Sequence, residues 1–75
     1  MILYHFKVTE LYNPAFRQKT YGIAATTEEN GICTYTAYIP DISCSRDFVE
    51  ALAKRCTEGQ LNPIHLLDVV LDALP

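Results

Sequence analysis

The sequence predicts an α+β fold in two layers. A three-stranded antiparallel sheet is followed by two C-terminal helices packed on one face, in the order βββαα. Three observations carry this. Apolar and polar residues alternate along residues 2–10, 20–27 and 32–39, the period of a half-buried strand. Asn30-Gly31 stands between the second and third of these runs, and Asn-Gly is the strongest short hairpin signal because both residues tolerate positive φ. After Pro40 the apolar spacing lengthens to three and four, the period of an amphipathic helix.

In the first strand Ile2, Tyr4, Phe6 and Val8 face one way, and Leu3, His5, Lys7 and Thr9 the other. Asn13-Pro14 ends it, because proline has no N–H for a ladder, and residues 12–19 read as a polar connection. In the second strand Tyr21, Ile23 and Ala25 share a face, and Gly22 marks a bulge or the close approach of another backbone. Pro40 ends the third strand. Of the five tyrosines, Tyr4, Tyr21 and Tyr35 are assigned to the core side, and Tyr12 and Tyr38 to solvent. The order of the strands in the sheet stays open.

Ser43 or Ser45 caps the first helix and Asp47 suits its first turn. Phe48, Leu52 and Cys56, flanked by Val49 and Ala53, form its apolar face. Lys54 and Arg55 fall in the last turn, and Gly59 is placed as its left-handed terminator. Asn62-Pro63 starts the second helix. Ile64, Leu67, Leu71 and Leu74 form one stripe on it, which Leu66, Val69, Val70 and Ala73 widen.

A chain of 75 residues has room for one domain, residues 1–75, and a thin core: about 4,600 Å² of folded surface and roughly 60 % burial are expected at this size. That excludes barrel enzymes and two-domain clefts. Net charge is −3, and the bases Lys7, Arg17, Lys19, Arg46, Lys54 and Arg55 are scattered, whereas nucleic-acid binders carry a clustered basic stripe. Nucleic-acid binding is kept as the second reading, to be supported only if Arg17, Lys19, Lys54 and Arg55 gather in space. The N-terminus lacks a basic lead and a long apolar run, so no signal peptide is expected. No apolar run is long enough for a membrane span. Cys33, Cys44 and Cys56 match no zinc or redox spacing. A cytoplasmic protein with reduced thiols is expected.

The candidate chemistry is thin. His65, Asp68 and Asp72 fall at i, i+3 and i+7 and could offer an imidazole and two carboxylates to a divalent metal. The ordinary alternative, the solvent edge of an apolar helix, is the stronger one, since three ligands from one helix make an open site. Cys44 lies near a helix N-terminus, where a thiolate is stabilised, but no base or orienting group accompanies it. No phosphate loop, dinucleotide motif or Ser/His/Asp arrangement is present, so no catalytic residue, cofactor or small-molecule substrate is assigned.

Eight of the eleven residues from 64 to 74 are apolar, more than a small sheet and one helix can cover. Burying a further ~400 Å² at ~25 cal/mol/Å² is worth about 10 kcal/mol before association costs. Leu66, Leu67, Val70, Leu71 and Leu74 are therefore the expected interface. The expected function is a non-enzymatic interaction or regulatory module that self-associates, as a dimer, through this helix or a sheet edge. Another protein is the alternative partner.

Several segments are similar to a family of short bacterial proteins of unknown function from clostridia-like Gram-positive organisms. They are Tyr21-Gly22-Ile23, Asp41-Ile42-Ser43, Phe48-Val49 with Leu52, and Leu61-Asn62-Pro63-Ile64-His65-Leu66-Leu67-Asp68-Val69-Val70-Leu71-Asp72. The resemblance runs from about residue 3 to 74, and its most specific part is the final helix. Cys44 and Cys56 fall outside the pattern. It implies a small stand-alone cytosolic bacterial protein and supplies no catalytic residues.

Overall fold

The computed structural model describes residues 1–74. Three long strands, β1 (Ile2–Asn13), β2 (Gln18–Glu29) and β3 (Ile32–Ser43), form an antiparallel sheet in the order β1-β2-β3. All three are longer than the alternating runs that announce them. The connection expected over residues 12–19 shrinks to the turn 14–17. There Asn13 Oδ1 accepts from the Ala15 N–H at 3.0 Å, and the Arg17 N–H donates to the Pro14 carbonyl at 3.4 Å. Pro14 does end β1, but Asn13 stays in the ladder, opposite Gln18. The second turn is the expected one: Asn30 (φ 54°) and Gly31 (φ 79°) are both left-handed, as the right-handed strand twist requires of a two-residue turn.

The β1–β2 register runs without interruption, but β3 slips twice against β2. Ala25 pairs with Ala37 and Thr26 with Tyr35, which leaves Thr36 as an extra residue. The Thr36 hydroxyl donates to the Ala25 carbonyl at 3.3 Å and seals the irregularity. An extra residue reverses inside and outside along a strand. Tyr35, placed in the core by simple alternation, is therefore turned out and is 79 % exposed. The second slip lies between Ile23–Ile39 and Tyr21–Ser43, where β3 carries two residues more than β2. Gly22 is there because the β3 backbone presses on it: a Cβ would meet the Ile39 carbonyl oxygen and stand 2.6 Å from the Pro40 carbonyl carbon. Pro40 does not end the strand. It sits in this irregular stretch of an edge strand, where a missing donor is tolerated, and Ile42 beyond it is buried.

Helix α1 (Arg46–Glu58) begins at Ser45, whose Oγ accepts from the Phe48 N–H at 3.3 Å. It buries Val49, Leu52, Ala53 and Cys56. Its end differs from expectation by one residue. Gly59 stays right-handed (φ −82°), and the left-handed residue is Gln60 (φ 48°). The Leu61 N–H reaches back to the Cys56 carbonyl (3.0 Å) and the Gln60 N–H to the Thr57 carbonyl (3.1 Å), the paired bonds of a Schellman terminator.

The C-terminal helix comes in two pieces. Asn62 Oδ1 accepts from the Ile64 N–H at 3.2 Å and opens a 3-10 turn, Pro63–His65; α2 follows over Leu66–Ala73. The core joins Phe6, Ile23, Ala25 and Ile42 of the sheet to Val49, Leu52 and Cys56 of α1 and to Leu66 and Val70 of α2. Leu66 and Val70 are 1 % and 2 % exposed. These two expected interface residues are thus held inside the chain's own core rather than on its surface. The physical reason is that the segment has two adjacent apolar stripes, and the one carrying Leu66 and Val70 meets α1 and the sheet.

Candidate interaction surface

The other stripe looks outward. Ile64 is 77 % exposed, Leu67 57 %, Leu71 59 % and Leu74 36 %. Leu67 and Leu71 are one turn apart, so their side chains stack on a common face, with Ile64 before them in the 3-10 turn and Leu74 after them at the helix end. Of the predicted interface, Leu67, Leu71 and Leu74 are thus on the surface. Ile64 joins them, a residue that sequence reasoning put on the stripe but left out of the interface.

The face of the sheet turned away from the helices is uncovered. Across its middle, Thr9, Ala24, Tyr35, Ala37 and Tyr38 line a shallow hollow of about 570 Å³. Tyr38 stands opposite Ala24 and Tyr35 opposite Thr26. The Thr9 hydroxyl is buried without a hydrogen-bond partner. Further along the same face, Cys33 Sγ lies 3.6 Å from Glu28 Oε1, as a weak donor to it. Sequence reasoning missed this hollow, because the Thr36 irregularity that turns Tyr35 outward leaves no mark in the residue pattern.

The residues proposed for chemistry stay apart. His65, Asp68 and Asp72 are all exposed. His65 belongs to the 3-10 turn rather than to α2, so the i, i+3, i+7 spacing does not place the three on one α-helical face. Among the described residues no group of three or more His, Cys, Asp or Glu is placed to hold a metal ion. Cys33 and Cys44 are exposed and Cys56 is buried, all three as free thiols. Burial pushes the Cys56 thiol upward from its ordinary range, opposed by the nearby Arg55 charge.

The four bases that a nucleic-acid surface would need are divided. Arg17 lies in the turn after β1 and Lys19 opposite Tyr12 near that end of the sheet, whereas Lys54 and Arg55 lie near the end of α1, just before Thr57, which bonds to Phe6. From Phe6 to Asn13 alone is roughly 23 Å at ~3.3 Å per strand residue. Lys19 pairs with Glu10 (3.7 Å) and Lys54 with Glu58 (3.8 Å), exposed pairs of small energetic weight. The Arg46–Glu50 pair, at 2.8 Å, raises the pKa of the guanidinium through its hydrogen bond. No helix among the described residues is long and apolar enough to cross a membrane.

No curated protein and no solved structure matches the chain. A family model does, over residues 2–75, and its description is "Family of unknown function (DUF6514)". With the match covering nearly the whole sequence, the chain belongs to the DUF6514 family.

Proposed function

We propose that this chain is a non-enzymatic interaction module that self-associates through the outward stripe of its C-terminal segment, Ile64, Leu67, Leu71 and Leu74. One observation carries the reading. Four large aliphatic side chains, Leu67 and Leu71 one turn apart on α2 with Ile64 before and Leu74 after them, remain exposed on a segment whose adjacent stripe, Leu66 and Val70, is already buried. Scattered exposed leucines are ordinary, but a contiguous apolar run marks a contact surface. A second copy is the partner of choice because it presents the same self-complementary stripe across a two-fold axis. The sheet edges suit this role less: β3 is interrupted by two register slips and Pro40, and irregular edges pair poorly. The same reading places the protein in the bacterial cytoplasm, with support from three free thiols, two of them exposed, in keeping with a reducing compartment.

Sedimentation equilibrium at micromolar concentration tests it. The expected result is a dimer that Leu67→Asp with Leu71→Asp converts to a monomer of unchanged circular dichroism. A wild-type chain that sediments as a monomer throughout that range withdraws the proposal.

A further inference from the structure

Gln60 stands in a left-handed backbone conformation, where glycine is the residue of least strain, while glycine itself sits one position earlier in a right-handed one. An observed strained residue asks what its side chain does. Its carboxamide lies against the free edge of β1: Oε1 accepts from the Tyr4 N–H at 3.0 Å, and Nε2 donates to the Tyr4 carbonyl at 3.0 Å and to the Thr57 carbonyl at 2.8 Å. Those two bonds to Tyr4 are the ones a neighbouring strand would make. Thr57 acts on the next outward-facing residue. Its hydroxyl accepts from the Phe6 N–H at 3.2 Å, donates to the Ala53 carbonyl at 3.0 Å and lies 3.5 Å from the Phe6 carbonyl.

We infer that Gln60 and Thr57 serve as a two-rung substitute strand that keeps the β1 edge from pairing with β1 of a second copy. β1 is twelve residues long and alternates regularly, the kind of edge that invites strand addition. Because the β1–β2 register is unbroken, backbone groups point alternately toward β2 and away from it. Those of Tyr4 and Phe6 point away, and so do those of Val8, Glu10 and Tyr12. Two copies of β1 pairing antiparallel about Phe6 would set Tyr4 against Val8 and Phe6 against Phe6, an apolar, aromatic ladder. Gln60 and Thr57 occupy that register. The stretch left open is centred on Glu10, where self-pairing sets two carboxylates directly opposite each other, a repulsive arrangement. Guard and charge together close the edge to the chain's own copies. The inference is independent of the helix stripe, and it leaves that stripe as the route for association.

The test uses Thr57→Val with Gln60→Gly in the full chain, in a Leu67→Asp/Leu71→Asp background so that the helix stripe plays no part. Gln60→Gly relieves the left-handed strain while deleting the carboxamide, so association cannot be put down to a weakened terminator. At low micromolar concentration, the Tyr4 and Phe6 amides should exchange with deuterium at least about tenfold faster than in the background chain. At high micromolar concentration, the mass by light scattering should rise above that of a monomer, and Glu58→Ala, a neighbouring control, should do neither. If the quadruple variant remains monomeric at high concentration, or if its Tyr4 and Phe6 amides keep their protection when dilute, the inference is overturned.

Discussion

A side chain at position 22 would stand 2.6 Å from the Pro40 carbonyl carbon, with the Ile39 carbonyl also in its path. Both obstacles are backbone, so neither can swing aside. Gly22→Ala should cost about 3 kcal/mol, read as a lower midpoint in urea at unchanged slope. The opposite sign is expected next to it. The Thr9 hydroxyl is buried with no partner, and a buried polar atom left unpaired is a liability. Thr9→Val, of like shape and higher strand preference, should stabilise the fold by about 1 kcal/mol. Among the thiols, Cys33 and Cys44 are exposed and Cys56 is buried with its pKa raised by desolvation. A thiol reagent at neutral pH should therefore modify two thiols quickly and the third only on unfolding. Cys56 holds its proton longer folded than unfolded, so its contribution is complete below the unfolded thiol range and declines as pH rises through the folded value. At this scale the sequence was informative wherever chemistry is local. Asn30-Gly31 named its turn and Ser45 its cap. Gln60 was hidden because glycine next door carried the expected terminator signal, and only the contact with Tyr4, a residue 56 positions away, explains why glutamine takes the left-handed place.

The elements themselves were legible, and their edges and faces less so. Periodicity located three strands and two helical segments, because a half-buried surface imposes a period on the residues. It could not tell which of two neighbouring apolar stripes on residues 64–74 would meet the core, since the two are alike in composition; the approach of α2 to the sheet and α1 decides. Point substitutions separate the stripes. Leu66→Ala and Val70→Ala should each destabilise the fold by about 2–4 kcal/mol, because both side chains are buried. Leu67→Ala and Leu71→Ala should change monomer stability by less than about 0.5 kcal/mol. Thermal melts of the four variants, made in dilute solution, give the ranking. Equal losses at all four positions would mean that α2 is rotated from the position described. The His65, Asp68 and Asp72 cluster failed at the same scale. The sequence spacing assumes one continuous helix, and the proline-initiated 3-10 turn takes His65 out of it.

The whole molecule exposes 5223 Å², against the ~4,600 Å² that its mass predicts for a compact monomer. The surplus agrees with its dimensions, 42 × 24 × 17 Å, and with a sheet covered on one side only. A module that associates should gain stability by mass action. The wild-type melting temperature should therefore rise with protein concentration, while that of Leu67→Asp/Leu71→Asp should stay fixed. A melting temperature independent of concentration in both would argue for a monomer that tolerates its apolar stripe. The uncovered side of the sheet is also kinked by a single residue. Thr36, the extra member of β3, shifts the phase of everything before it, and for that reason Tyr35 and Tyr38 share one surface although an odd number of positions separates them. Deleting Thr36 would bring β3 back into uninterrupted alternation with Ala37 still opposite Ala25 and Tyr35 still opposite Thr26, so the bare side would keep both rings and lose only the kink between them.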